Sequence, residues 1–246
     1  MISARELRLL RAYLVASAIA LVVLLVGAFS PARQDEITVQ RINVIESDGT
    51  LRLVIANRER SPAPVIRGKT FGFPGGNRAG IVFYNEEGTE SGGLITSGRR
   101  LPDGTYYQGL GLTFDRFDQD QVVALQHNDE NGRLTSALTI FDRPALSLDS
   151  VHALRRAIDS IPEGAAKQEA LRRWRERQGG MEYSAPRFFA GRTRARASVV
   201  NLYDPAGRLR LRLSVDSLGS AGIEFLDDSG RVIRKIMGVE QPASQK

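Results

Sequence analysis

Alternation of apolar and polar residues dominates the chain beyond residue 34. The clearest case is the segment 208–215, where leucine or valine fills every second position and arginine fills three of the positions between. A period of two over eight residues predicts a β-strand that is buried on one face. We expect the leucines of this strand to face the core and its arginines to face solvent.

Five short segments predict the hairpins that join such strands. Each has a polar residue, two further residues and then a glycine. In a type I turn the first side chain accepts bonds from nearby backbone N–H groups. The glycine can then take positive φ without steric cost as the chain enters the next strand. The five segments are 46–49, 85–88, 129–132, 204–207 and 227–230.

Two parts of the chain repeat the same pattern, which indicates internal pseudo-symmetry. The match aligns Ile81 with Ile223 and Phe83 with Phe225, and we expect these four side chains on an inward face. The matched segments are 42–55 with 200–213, and 79–85 with 221–227.

Between the two copies, the period changes to that of a helix. Val151, Leu154 and Ile158 recur at helical spacing, Pro162 interrupts, and a second helix is predicted to stop at the glycines after Gln178. We therefore predict a helical hairpin inserted at about 148–178. The predicted fold is mainly β, an antiparallel hairpin-built sheet of barrel or sandwich type with a two-copy repeat.

The segment 12–32 carries no charge and predicts a transmembrane helix. Twenty-one residues at a rise of about 1.5 Å span roughly 30 Å, the thickness of a bilayer core. Three arginines precede it, which predicts a cytoplasmic N-terminus. The expected organisation is a basic cytoplasmic tail at 1–11, the membrane helix at 12–32, and an extracytoplasmic, periplasmic β-rich domain at 34–246.

Two other interpretations of this segment compete with the anchor. A cleaved signal peptide shares the basic start and apolar centre, but the apolar stretch is long for one, and Pro31 breaks the small-residue exit. A buried core helix is disfavoured, because no face of the segment is polar enough to meet water. We therefore expect an uncleaved anchor.

Composition excludes several kinds of site. The chain has no cysteine, so disulfides, zinc–thiolate sites and cysteine nucleophiles are ruled out, and its two histidines are far apart. The net charge is +6, but arginines are interleaved with acids along an outward-facing domain, so we expect no nucleic-acid partner. We expect no bound cofactor. A protein or an anionic envelope component, such as lipid head groups or a wall polymer, is the expected partner.

Three neighbouring carboxylates form the one candidate cluster. Asp115, Asp118 and Asp120 could hold Ca²⁺ through oxygen ligands or supply a general acid and base for glycoside cleavage. The spacing lacks the glycine and final glutamate of an EF-hand loop. Pairing of these carboxylates with arginines at strand ends is the simpler interpretation and the one we favour. We therefore assign no catalytic, cofactor-binding or metal-binding residue.

Several phrases of the sequence resemble a family of uncharacterised bacterial proteins that carry an N-terminal hydrophobic segment. The phrases lie at 41–55, 92–95, 114–123, 185–192 and 225–231. The resemblance implies a bacterial origin and an envelope location, and it carries no activity. From the residues we expect a non-catalytic interaction or scaffold module, with a carboxylate-dependent hydrolase or calcium-binding domain as the alternative.

Overall fold

The computed structural model describes residues 3–29, 35–70, 78–177 and 184–238. The chain divides into two compact units, residues 1–39 and residues 40–246. The first unit contains helix α1 (Ala4–Phe29). The elements of the second unit are, in chain order, β1 (Arg41–Ile45), β2 (Leu51–Ala56), β3 (Val65–Ile66), β4 (Lys69–Thr70), β5 (Ala79–Tyr84), β6 (Glu90–Arg100), β7 (Tyr106–Asp115), β8 (Gln121–Glu130), β9 (Arg133–Asp142), α2 (Leu148–Asp159), α3 (Ala165–Arg177), β10 (Ala185–Arg192), β11 (Ser198–Tyr203), β12 (Leu209–Val215), β13 (Ala221–Leu226) and β14 (Val232–Met237).

Helix α1 begins eight residues before the charge-free segment. Ser3 and Glu6 form a capping box: the Glu6 N–H donates to Ser3 Oγ at 3.2 Å, and the Ser3 N–H donates to Glu6 Oε2 at 2.7 Å. Its residues Ala4–Leu25 are long and apolar enough to cross a membrane, and none of the apolar window is buried. The helix is therefore compatible with a membrane anchor or a signal sequence and unlike a core helix. The predicted end at residue 32 and the exit around Pro31 lie outside the described residues.

Twelve strands form one antiparallel sheet in which strands that follow one another along the chain are paired, except that β2 pairs with β5 past β3 and β4. The two-residue strands β3 and β4 form a separate small hairpin. The predicted antiparallel, hairpin-built β structure is confirmed. Among the described residues, β1 and β14 are the unpaired edges of a single open sheet. The described strands thus form neither the closed barrel nor the second sheet that the sequence left open.

All five predicted turn glycines take positive φ: +89° at Gly49, +69° at Gly88, +81° at Gly132, +76° at Gly207 and +81° at Gly230. In four of the turns the glycine N–H donates to the carbonyl of the first turn residue, at 2.9–3.0 Å. In three of the four the side chain of that residue also accepts backbone N–H groups, as in Asp227 with Ser229 and Arg231, whereas in the 46–49 turn Asp48 accepts the Thr50 N–H. Local turn chemistry therefore sets these hairpins as the sequence predicts.

The hairpin between β8 and β9 has a different turn from the one predicted. Asn131 and Gly132 are its two central residues, with φ of +53° and +81°. Two consecutive residues at positive φ are typical of a type I′ turn, for which Asn-Gly is the strongest sequence signal. Strand β8 consequently continues through Asp129 to Glu130, which the prediction placed in the turn.

Glycine also permits close approach of neighbouring strands. A Cβ on Gly191 would lie 2.1 Å from the Ser136 carbonyl oxygen, and one on Gly80 would lie 2.0 Å from that of Leu94. These atoms belong to the backbone of the paired strand, so no rotamer change can relieve the contact. The sheet therefore depends on glycine at these positions.

Helices α2 and α3 lie between β9 and β10 in the chain. Val151 of α2 and Trp174 of α3 are buried, and the Leu148 N–H at the start of α2 donates to the Asp118 carbonyl at 2.8 Å. This bond links α2 to the turn between β7 and β8. The glycines predicted to end the second helix lie outside the described residues.

The two sheet faces differ from the expected arrangement. In β12, Leu213 and Val215 are exposed, whereas Arg210 and Arg212 are half-buried and pair with Asp228 and Glu224. The fully buried strand residues Val54 and Val82 lie on the same face as Arg212, because strand pairing connects them across the sheet. The alternation was predicted correctly, but neither face of β12 is fully buried, because Leu209 and Leu211 are half-buried as Arg210 and Arg212 are.

Candidate functional site

The structure separates the roles of the three candidate carboxylates. Asp115 is the last residue of β7, Asp118 lies in the following turn with φ +53°, and Asp120 immediately precedes β8. Among the described residues, no group of three histidine, cysteine, aspartate or glutamate side chains could hold a metal ion. The three carboxylates are thus neighbours in sequence without forming a cation cage.

Asp118 is a structural residue. Its side chain is buried, and its Oδ2 accepts Arg67 Nε at 2.9 Å and also Arg67 Nη2. Arg67 comes from the β3–β4 turn, and its backbone N–H donates to Thr89 Oγ1 at 2.8 Å. With the bond from α2 to its carbonyl, Asp118 ties three separate loops together. Asp118 therefore fits the simpler interpretation, in which the carboxylate pairs with an arginine.

Asp120 also faces an arginine. Its Oδ2 lies 3.5 Å from Arg143 Nη2, and its Oδ1 accepts the Gln121 N–H at 2.9 Å. Arg143 Nε in turn donates to the Gln121 carbonyl at 2.6 Å. These contacts join the ends of β8 and β9.

Asp115 is the chemically distinct member of the cluster. Burial, together with the negative charges of Glu90 and Asp120, raises the pKa of Asp115 to about 7, while the positive charges of Arg143 and Arg78 oppose the shift. Its Oδ1 is buried and has no hydrogen-bond partner among the described residues. Asp115 is thus a carboxyl group that can hold or release a proton near neutral pH.

Asp115 borders a polar groove on the face that carries the buried residues. The groove has a volume of about 270 Å³ and is lined by Arg78, Glu90, Thr113, Gln121, Gln126 and Asn128 among others. Arg78 donates to both carboxylate oxygens of Glu90, at 2.7 and 3.3 Å. Burial and the charge of Glu90 raise the pKa of nearby Tyr84 to about 12, so its hydroxyl stays protonated. Sequence reasoning missed Arg78, Tyr84 and Glu90, because only the register of β5 with β6 brings them together.

The opposite face of the sheet carries a continuous band of apolar side chains, and we call it the apolar face. Its central row consists of residues that pair one after another across all twelve strands. The row is Ile42, Ile55, Ile81, Leu94, Leu112, Leu125, Leu138, Ala190, Val200, Leu213, Ile223 and Ile236. At a strand spacing of about 4.8 Å, the row is about 50 Å long.

A second apolar row runs beside the central row on the same face. It contains Val44, Leu53, Phe83, Gly92, Phe114, Val123, Ile140, Phe188, Leu202, Leu211, Phe225 and, at the β14 edge, Arg234. The four repeat-aligned residues, expected on an inward face, lie in these two rows. Ile81, Phe83 and Ile223 are half-buried, and Phe225 is 36% exposed. None of the four is fully buried, and the fully buried strand residues Val54 and Val82 lie on the opposite face.

No described element covers the apolar face in full. Leu125 is 54% exposed, Ile236 is 44% exposed and Leu94 is 42% exposed, whereas Val82 on the opposite face is 2% exposed. Contiguous exposed apolar surface is rare on proteins that act alone in water and marks interaction sites. Two cavities of about 730 and 480 Å³ lie along this face, over β10–β14 and β6–β10, and Ala190 lines both.

The two ends of the strands carry opposite charge. The hairpin segments 99–105, 128–134, 192–197 and 215–221 contain six arginines and four acidic residues. At the other end, the turn segments 45–51, 84–90, 115–121, 203–209 and 226–232 contain eleven acidic residues and three arginines. We call the first of these the basic end. The apolar face therefore lies between a basic and an acidic border.

Comparison with protein-family models and with curated proteins found no match to this chain.

Proposed function

We propose that this chain is a single-pass bacterial inner-membrane protein whose β unit is periplasmic and acts as a non-catalytic interaction module. The apolar row across all twelve strands carries the proposal. Burying apolar surface stabilises a complex by about 25 cal/mol per Å², so an exposed row of this length favours association. The N-terminal arginines support the cytoplasmic placement of the short tail.

The two-copy repeat and the inserted helical hairpin belong to the same proposal. Segments 42–55 and 200–213 contribute equivalent strand pairs near the two edges of the sheet, at β1–β2 and β11–β12. A module built from two related halves extends one binding face without adding a second layer. The helices at 148–178 interrupt the repeat at the acidic end of the strands, where Asp118 contacts α2.

Site-specific cross-linking in living cells tests this function. A photoreactive benzoylphenylalanine replaces either Leu125 or Gln126, neighbouring residues that are both exposed and lie on opposite faces of β8. We expect light-dependent adducts with a cellular component at position 125 and few at position 126. Equal yields at both positions, or none at either, would contradict an interaction role for the apolar face.

A second candidate is a carboxylate-dependent hydrolase, which the protonatable Asp115 favours. Glycoside cleavage needs one protonated and one ionised carboxyl group, and Asp115 and Glu90 would fill these roles in the polar groove. Turnover of wall polysaccharides that disappears in Asp115→Asn would support it. The calcium-binding form of this alternative predicts heat on calorimetric titration with Ca²⁺, and we expect none because Asp118 and Asp120 face arginines.

A further inference from the structure

We propose that the apolar face binds the acyl chains of an anionic phospholipid, with the phosphate held by arginines at the basic end of the strands. The inference rests on the proposed function and names the partner class of the same surface. It follows from the position of one cation relative to the apolar rows and from the sign of the charge beside them.

Arg192 lies where the apolar and basic surfaces meet. It follows the central-row residue Ala190 by two positions, so its side chain leaves β10 on the apolar face. It pairs in register with Ser136 and Ser198. Its Nη1 donates to the Leu134 carbonyl at 2.7 Å, which fixes the guanidinium while leaving further N–H donors for a phosphate.

The same arginine lines the 730 Å³ cavity together with apolar side chains of β11–β14, including Val200, Leu213 and Ile223. Cavities of about 300–1,000 Å³ are typical of sites for small organic ligands. The acyl chain of a lipid matches this lining, because the cavity offers it aliphatic contacts. The lipid head group then remains at the border of the cavity, beside Arg192. The cation and the apolar wall are therefore parts of one amphiphilic site.

Further cations reinforce the choice of an anionic head group. Arg99, Arg100, Arg194 and Arg196 are exposed at the same end of the strands, and Glu130 contacts Arg194 at 2.7 Å. Each arginine near an anionic lipid surface contributes about 1 kcal/mol of attraction. The acidic opposite end repels the same head group, so the charge pattern also orients the lipid.

Photolabelling of the full-length protein tests the proposal. The protein is reconstituted in phosphatidylcholine vesicles that contain a trace of phosphatidylglycerol with a diazirine in one acyl chain, and adducts are located by peptide mass spectrometry. We expect adducts on β10–β14, which line the 730 Å³ cavity, in addition to those on α1. Unlabelled phosphatidylglycerol should remove the β-unit adducts, and the same amount of phosphatidylcholine should not.

Matched variants assign the contacts. Arg192→Gln should lower the β-unit adduct yield about tenfold, as expected for the loss of one charged hydrogen bond. Arg196→Gln, which removes an exposed cation of the basic end, should lower the adduct yield by a smaller factor. This variant keeps the proposal testable if Arg192→Gln does not fold. Arg210→Gln removes a cation from the opposite face and should leave the yield unchanged.

Two results would overturn the inference: adducts confined to α1, or β-unit adducts that phosphatidylcholine removes as well as phosphatidylglycerol does. If the cellular cross-link at position 125 instead captures a protein while the lipid adducts are missing, the lipid proposal fails and the interaction module stands. If both experiments are negative, both proposals fail.

Discussion

Replacement of Asp115 by asparagine should change how the stability of the β unit depends on pH. Burial and nearby negative charges raise the pKa of Asp115 from 3.8 to about 7 in the folded protein. The folded state therefore binds a proton more tightly than the unfolded state does. Below pH 3.8 this group does not affect the free energy of unfolding. As pH rises from 3.8 to about 7 that free energy falls, and above pH 7 it stays lowered by the full amount.

The size of the effect follows from the two pKa values. One pKa unit corresponds to about 1.4 kcal/mol, so ionisation of Asp115 costs at most about 4 kcal/mol above pH 7 and between about 1 and 2 kcal/mol at pH 5. An asparagine side chain cannot ionise and keeps a similar shape. The asparagine variant should therefore gain about 2–3 kcal/mol relative to the natural protein between pH 5 and pH 8.

The assay is urea unfolding of full-length protein in nanodiscs, followed by circular dichroism of the strands, at pH 5 and pH 8. Asp48→Asn is the control, because its exposed carboxyl accepts the Thr50 N–H and its pKa is lowered instead of raised. That variant should show no gain as pH rises. A difference between the Asp115 variant and the natural protein that changes by less than about 0.5 kcal/mol over this range would refute the reasoning.

Two further predictions concern packing and the turn at Asp118. Gly191→Ala should destabilise the sheet by about 2 kcal/mol or more in thermal unfolding, because the added methyl group would lie 2.1 Å from the Ser136 carbonyl oxygen. Gly111→Ala should cost less than about 1 kcal/mol, because the nearest atom to its added methyl group would be a Gln126 side-chain atom at 3.6 Å. Equal effects of the two glycine substitutions would contradict the close strand approach. Asp118→Ala should lower the free energy of unfolding by about 2 kcal/mol, because the Arg67 contact is lost and alanine is strained at positive φ. Asp118→Asn should lower it by less, because asparagine tolerates this conformation. The opposite order of the two variants in urea unfolding would contradict this prediction.

The sequence predicts the parts of this fold that depend on local chemistry. The positive φ of turn glycines such as Gly49 and Gly230 depends on four adjacent residues. The helical placement of residues such as Val151 follows from the spacing of apolar residues over a short segment. The β8–β9 turn was predicted with the wrong type, because the pattern from Asp129 to Gly132 outweighed the stronger Asn131-Gly132 signal. The two sheet edges and the pairing order depend on the whole chain and lay beyond local reasoning.

Which face of a strand is covered also lies beyond local reasoning. Alternation divides Leu213 from Arg212 but does not say which of them meets protein and which meets solvent. In this sheet the two are exposed to about the same extent: the Arg212 side chain, which pairs with Glu224, is 38% exposed, and Leu213 is 39% exposed. Similarly, Asp115 was identified from sequence, whereas Glu90 enters its surroundings only through the register of β5, β6 and β7.

The described residues leave much of the apolar face uncovered, and cysteine accessibility measures this directly. The natural chain has no cysteine, so Leu125→Cys and Val82→Cys each carry one thiol, on the apolar face and on the buried face. In nanodiscs of phosphatidylcholine alone, we predict that maleimide labels position 125 almost as fast as it labels urea-unfolded protein, and labels position 82 far more slowly. Protection of position 125 equal to that of position 82 would contradict the account.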